Sequence, residues 1–211
     1  ILNCASAFLD LMFRYFPGSA RQLQKDVGLF QGSRPGLLHK VDTTHLTTLL
    51  SDKLKGTVIL CHDDSARHWQ HALGGYKLVY GIREAKGLEF KSVIILDFFR
   101  ELPPALQKPW RNLLFNREGL DFETKHPLVG THLKLLYTGI TRCIERLFFV
   151  ETLSSVAGDA VVRMLTTIES GEKRTTQGSA LATRNNINDI EAMSMTSDEF
   201  LSKGFDDAEM A

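Results

Sequence analysis

The sequence predicts an α/β fold built on a parallel sheet. Three observations carry this. Residues 57–62 and 92–98 are short, almost continuous apolar runs, the pattern of strands buried on both faces. Longer segments with apolar residues at helical spacing alternate with them. Turn residues (Gly, Pro, Asp and Asn) fall between the two kinds of segment, as in chains of strand–helix–strand units.

The elements follow in order. Ile1, Ala5, Phe8, Leu9, Met12 and Phe13 recur at helical spacing, and Pro17-Gly18 ends that helix. Residues 28–36 read as a loop and 37–41 as a short strand. A helix over 43–55 exits at Gly56 and leads into the strand at 57–62. Asp63 or Asp64 is placed to cap the next helix, which ends near Leu73. Residues 77–82 and 92–98 form two more strands. Helices are expected over 103–115 and 131–143, then a strand over 146–150. Beyond Glu151 a last helix over 156–170 fits, whereas 171–195 is rich in Thr, Ser, Asn and Gly and reads as a linker. Thr196 and Glu199 form a capping box that opens a short helix to Lys203, before Gly204. Three segments result: an α/β domain over 1–153 that lacks its own beginning, a helix with polar linker over 154–195, and the start of a helical region over 196–211. Ile1 in place of Met, in a run that already reads as helix, leads us to expect a fragment of a longer chain.

Composition narrows the function classes. The chain has 211 residues, 43% apolar and 24% charged, which suits an ordinary globular core. Lys+Arg and Asp+Glu balance at 25 each, which argues against a broadly basic polyanion binder but leaves room for a local basic cleft. Cys4, Cys61 and Cys143 are odd in number and far apart, so neither a disulfide framework nor a zinc site is expected, and a reducing interior is the default. Neither a signal peptide nor a membrane span is expected, because no run of about 18 uncharged apolar residues occurs.

Two segments carry candidate chemistry. In the first, Val79-Tyr80-Gly81-Ile82-Arg83-Glu84-Ala85-Lys86-Gly87-Leu88-Glu89-Phe90, a polar turn joins two strands. Such loops are expected at the carboxyl edge of an open sheet, where ligands bind. Gly87 lets the backbone approach a ligand, Lys86 supplies charge and Glu89 accepts from a hydroxyl. Taken alone, the segment is better explained as a tight connection with solvated charges. In the second, Leu135-Leu136-Tyr137-Thr138-Gly139-Ile140-Thr141-Arg142-Cys143, a packed helix holds Arg142 near its end. Alone, that arginine is better explained as complementing the helix dipole.

Together, AKGLEF and LYTGITR, each followed by an apolar strand and about 45 residues apart, resemble motifs V and VI of UvrD-like superfamily 1 helicases. The resemblance covers roughly residues 37–151. Leu29-Phe30-Gln31-Gly32-Ser33-Arg34-Pro35, Asp97-Phe98-Phe99 and Met195-Thr196-Ser197-Asp198-Glu199 resemble the TPR and ankyrin repeat-containing branch. The resemblance implies a RecA-like second motor domain, working as the C-terminal half of an ATP-dependent helicase or translocase. Arg142 then matches the arginine finger that stabilises charge on the transferred phosphoryl group, a role worth about a thousandfold in rate. Glu89 matches the acceptor for the nucleotide ribose, and Lys86 and Gly87 the turn beside the phosphates. Gly81, Ile82, Arg83 and Glu84 match the part that touches single-stranded nucleic acid, DNA before RNA. Gly81 stands where a Thr is usual and Arg83 where a His is usual.

The implied cofactors are ATP and Mg2+. The metal ligands and the rest of the nucleotide site would come from an N-terminal RecA-like domain of the same parent chain. No GxxxxGK followed by Ser or Thr occurs, so the chain alone is expected to be inactive. The implied compartment is intracellular, nucleus or cytoplasm. The rival expectation is a degenerate motor in a repeat-containing scaffold or regulatory protein, and a third is an isolated binding module. Thr57 to Asp64 imitates a strand ending in metal-binding acids, but its place before motif V argues for helix caps. His62, His68 and His71 are read as surface histidines, with no metal site assigned. Trp110 is read as core rather than as a platform for bases.

Overall fold

The computed structural model describes residues 1–18, 34–115, 119 and 121–172. Its elements are α1 (Leu2–Tyr15), β1 (Gly36–His39), α2 (Thr43–Asp52), β2 (Val58–Cys61), α3 (Ala66–Ala72), β3 (Val79–Gly81), β4 (Phe90–Leu96), α4 (Pro104–Leu114), α5 (Phe122–Lys125), α6 (Pro127–Ile140), β5 (Cys143–Glu151) and α7 (Val156–Glu172). The five strands form one parallel sheet in the order β1-β5-β4-β2-β3. The predicted α/β class with a parallel sheet covered by helices is therefore observed. The loop expected before residue 34, the linker over 171–195 and the capping box at Thr196 fall wholly or largely outside the described residues.

Side-chain alternation between two covered faces explains why β2 and the carboxyl-terminal halves of β4 and β5 are apolar at nearly every position. Leu60, Ile95 and Phe149 lie in one register row and face one side. Ile59, Ile94 and Phe148, one residue earlier, face the other. The first face is covered by α1, α4, α5, α6 and the start of α7, through Phe8, Trp110, Phe122, Leu136 and Val161 among others. The second is covered by α2 and α3, through Leu46, Leu50, Trp69 and Leu73. Because Ala157, Ala160 and Val161 join the first core, α7 belongs to the packed unit. Trp110 is fully buried, edge-on to Phe98 and Phe99, so it serves the core.

Helix starts are the places where the sequence expectation and the structure differ most. α6 begins at Pro127 rather than near 131, with Pro127 at the first helical position where its missing N–H costs nothing. Gly130, a weak helix former, lies inside the first turns, where a Cβ would meet the Phe16 ring at 2.7 Å. α5 was not anticipated. It is a single turn held by Phe122, whose ring meets Tyr15 and Phe16 edge-on at centroid distances of 5.7 and 5.6 Å. The residues 63–65 form a 3-10 turn before α3, and neither Asp63 nor Asp64 makes a side-chain cap.

At the carboxyl ends of β4 and β5 two buried carboxylates hold the turns. Asp97, fully buried and at φ 49°, accepts from Thr152 N and Thr152 Oγ1, both at 2.6 Å, and from the Arg100 guanidinium. Glu151, 2% exposed, accepts from Phe99 N at 3.0 Å and Arg100 N at 2.9 Å. Burial pushes the Glu151 carboxyl up from 4.5 to about 8, against the pull of the Phe99 N–H and with the help of nearby Asp97. The folded form thus binds this proton more tightly than the unfolded chain. Its contribution to stability is complete below about pH 4.5 and is lost as the pH rises through about 8. Urea unfolding across pH 5 to 8 should show that decline, and Glu151→Gln should flatten it; an identical slope in the variant contradicts the assignment.

Candidate functional site

A parallel sheet dictates where the first candidate segment runs. β3 and β4 both pair parallel to β2, so the connection between them must return from one end of the sheet to the other. Gly81, Ile82, Arg83 and Glu84 stay at the carboxyl end. Lys86 and Gly87 form the turn, and Glu89 reaches the amino edge, where Phe90 opens β4 beside Cys143. The expected ligand crevice at the carboxyl edge is corrected on this point: Leu88 and Phe90, on either side of Glu89, bond Arg142 at the amino edge instead.

There Phe90 N donates to Arg142 O at 2.8 Å, joining the two candidate segments. The Arg142 guanidinium is half-buried and turned into its own chain. Nε donates to Thr138 O at 3.2 Å, Nη1 to Leu88 O at 3.0 Å and Nη2 to Thr141 Oγ1 at 3.3 Å. It thereby ties the last turn of α6 to the loop before β4. Lys86, Gly87 and Glu89 are exposed. Gly87 takes φ 88°, a conformation that needs glycine at little cost. The structure thus brings the four nucleotide candidates to one stretch of loop and helix end, with Arg142 held by three hydrogen bonds.

The four nucleic-acid candidates are organised by Asp63. Its Oδ1 accepts from Arg83 N at 2.9 Å and its Oδ2 from Arg83 Nη1 at 2.6 Å. Glu84 Oε2 accepts from Gly81 N at 3.0 Å, and Ile82 is fully buried. The expected capping role of Asp63 is therefore replaced by a tie between the ends of β2 and β3. Gly81 is required by the same tie: a Cβ there would lie 2.3 Å from Asp63 Oδ1 and 2.8 Å from Asp63 Cα. Arg83 is two-thirds exposed and its guanidinium is already paired.

Sequence reasoning missed other polar residues at this end. His132, on α6, lies with its ring 5.8 Å from that of His62, which stacks on Phe98. Burial holds the His132 pKa below its usual value, and the neighbouring His62 and Arg83 act in the same direction. Glu101 accepts from Ser65 Oγ at 2.6 Å and Trp69 Nε1 at 3.0 Å, binding α3 to the turn after β4. None of these lies in a recognisable local motif. His62 and Glu101 follow the apolar strands β2 and β4, whereas His132 lies within α6. Among the described residues, no group of three His, Cys, Asp or Glu is placed to hold a metal ion, and no helix is long and apolar enough to cross a membrane.

Comparison with known proteins corrects the expected family. No protein-family model matches the chain, and no solved structure matches it. The chain is similar to human TPR and ankyrin repeat-containing protein 1, at 30% identity over 191 residues. That similarity covers 72% of this chain but 6% of the relative. The expected membership of the UvrD-like superfamily 1 helicases is not upheld, because the similarity found is to a repeat-containing protein and no helicase family matches.

The Gly81 contact gives a direct test. Gly81→Thr should lower stability by about 1–3 kcal/mol, since the added atoms meet Asp63 backbone as well as side chain. Urea unfolding of the variant measures this. Unchanged stability shows that the turn after β3 is free to open.

Proposed function

We propose that this chain is an α/β binding module of a repeat-containing scaffold or regulatory protein, with a motor-like arrangement that is used structurally. The observation that carries this reading is the Arg142 guanidinium, which donates from all three nitrogens to its own chain. An arginine finger has to present its fork to a phosphate. Similarity to a TPR and ankyrin repeat-containing protein supports the same reading. The balance of 25 basic and 25 acidic residues also favours a protein partner over a long polyanion. The RecA-like second-domain arrangement is part of this proposal, and it is supported by the five-stranded parallel sheet with helices on both faces.

A second reading is favoured by one specific observation. Lys86, Gly87 and Glu89 are exposed in the loop before β4, whose Leu88 carbonyl accepts from Arg142. With an N-terminal RecA-like domain of the parent, these residues would bind ATP with Mg2+, and Gly81 to Glu84 would touch single-stranded nucleic acid, DNA before RNA. Arg142 would then exchange its Leu88 carbonyl for the phosphates on closure.

The experiment that separates the two is ATP hydrolysis by the parent protein, with and without single-stranded DNA, beside its Arg142→Ala variant. The scaffold reading predicts no hydrolysis that depends on Arg142, together with a stability loss of about 1–3 kcal/mol in the variant from the lost hydrogen bonds. A rate that falls about a hundredfold or more in Arg142→Ala, with stability unchanged, contradicts it and supports the motor reading.

A further inference from the structure

Open α/β sheets take ligands at the carboxyl ends of neighbouring strands whose connections leave to opposite faces. β1 and β5 are such neighbours. β1 continues into α2 on the second face, and β5 continues into α7 on the first. A cleft of about 910 Å³ opens at that point, large enough for a small organic molecule. It shares no residue with the two candidate groups described above.

Its walls come from four places in the chain. Lys40 follows β1, Arg100 follows β4, His68 and Ala72 lie on α3, and Leu153 and Ser154 follow β5. We propose that this cleft binds a small molecule bearing an oxyanion, phosphate or carboxylate, on a compact apolar body. Lys40 is exposed, and among the described residues its ammonium makes no ion pair. Arg100 is oriented from behind, because its Nη1 donates to Asp97 Oδ2 and, at 3.1 Å, to Thr152 Oγ1. That anchoring fixes the guanidinium plane and leaves Nε and Nη2 for a ligand. A fork held in this way loses little freedom when it meets an oxyanion. His68, exposed beside them, is a further donor.

Asp42 is the acidic member of the wall. Its carboxylate is committed to its own helix, accepting from His45 N at 2.9 Å and pairing with the His45 ring. The N-terminus of α2 is therefore satisfied by Asp42 and adds nothing to the proposal. Ala72 and Leu153 supply apolar surface, and Leu153 is 57% exposed, so part of that surface faces solvent. A ligand that carried only charge would leave this surface wet, which is why an apolar body accompanies the oxyanion.

The test is a titration of the chain with inorganic phosphate and, separately, with acetate, followed by backbone amide NMR. Binding should saturate, with shifts concentrated at Lys40, Arg100, Thr152 and Ser154. Preference for phosphate or for acetate identifies which oxyanion the cleft is built for, and equal binding supports the shared chemistry. Lys40→Glu should weaken binding about tenfold or more. Ala72→Trp, which fills the cleft and touches no charge, should weaken it comparably. Lys91→Glu, an exposed lysine at the other edge of the sheet, should leave it unchanged. Circular dichroism of each variant confirms folding. Failure of both anions to saturate, shifts scattered over surface lysines, or an affinity in Lys40→Glu or Ala72→Trp equal to that of the unsubstituted chain overturns the proposal.

Discussion

Two carboxylates buried where the central strands end hold the fold's most demanding position. β4 and β5 end in stretches buried on both faces, so the chain must leave the core from between two layers of helices. Backbone N–H groups in those turns are partly or wholly withdrawn from water, and an unpaired buried donor costs about 1–3 kcal/mol. Asp97 and Glu151 supply the acceptors: Asp97 takes the N–H of Thr152, and Glu151 takes those of Phe99 and Arg100. Each strand's last carboxylate thus serves the other strand's turn. Asp97 does so at positive φ, a region that Asp tolerates better than most residues.

Much of the carboxyl end follows from this cross-bracing. Arg100 is fixed because its backbone N–H meets Glu151 and its guanidinium meets Asp97. Glu101, the next residue, reaches Ser65 and Trp69 and so ties α3 on the second face to the same turn. Gln107 donates to the carbonyls of Phe99 and Leu102, while its Oε1 accepts from Ala157 N, so α4 and α7 are bound to that turn as well. Elements on both faces are therefore referenced to one loop. At the opposite edge the Arg142 guanidinium joins α6 to the loop before β4, and Thr57 donates to Ser92 Oγ at 3.0 Å, tying the start of β2 to β4. Residues that resemble catalytic groups in isolation here share the work of joining layers.

The sheet was legible in the sequence because its physics is local: a strand buried on both faces must be apolar at every position, as Val58–Cys61 shows. Helices with long apolar stripes were legible for the same reason. α5 was not, since a four-residue turn has no period to read and depends on Tyr15 and Phe16 from far away in sequence. Asp63 was misread because an acid before a helix usually caps it, whereas here a distant Arg83 N–H competes for the carboxylate and wins. The resemblance to helicases rested on two short segments. Their strand, turn and helix contexts were found, but such contexts report local geometry and do not establish a family. The oxyanion cleft was invisible, because its walls are assembled from four separate stretches of chain.

The measurement that bears most directly on this account is the stability of Asp97→Asn, with hydrogen exchange at the Thr152 amide followed alongside. The substitution keeps shape and removes the charge that Arg100 and Thr152 share. The cross-bracing account predicts a loss of about 1–3 kcal/mol and a Thr152 amide that exchanges faster. A loss below about 0.5 kcal/mol with Thr152 still protected would contradict it, and would place the anchor of the carboxyl end elsewhere.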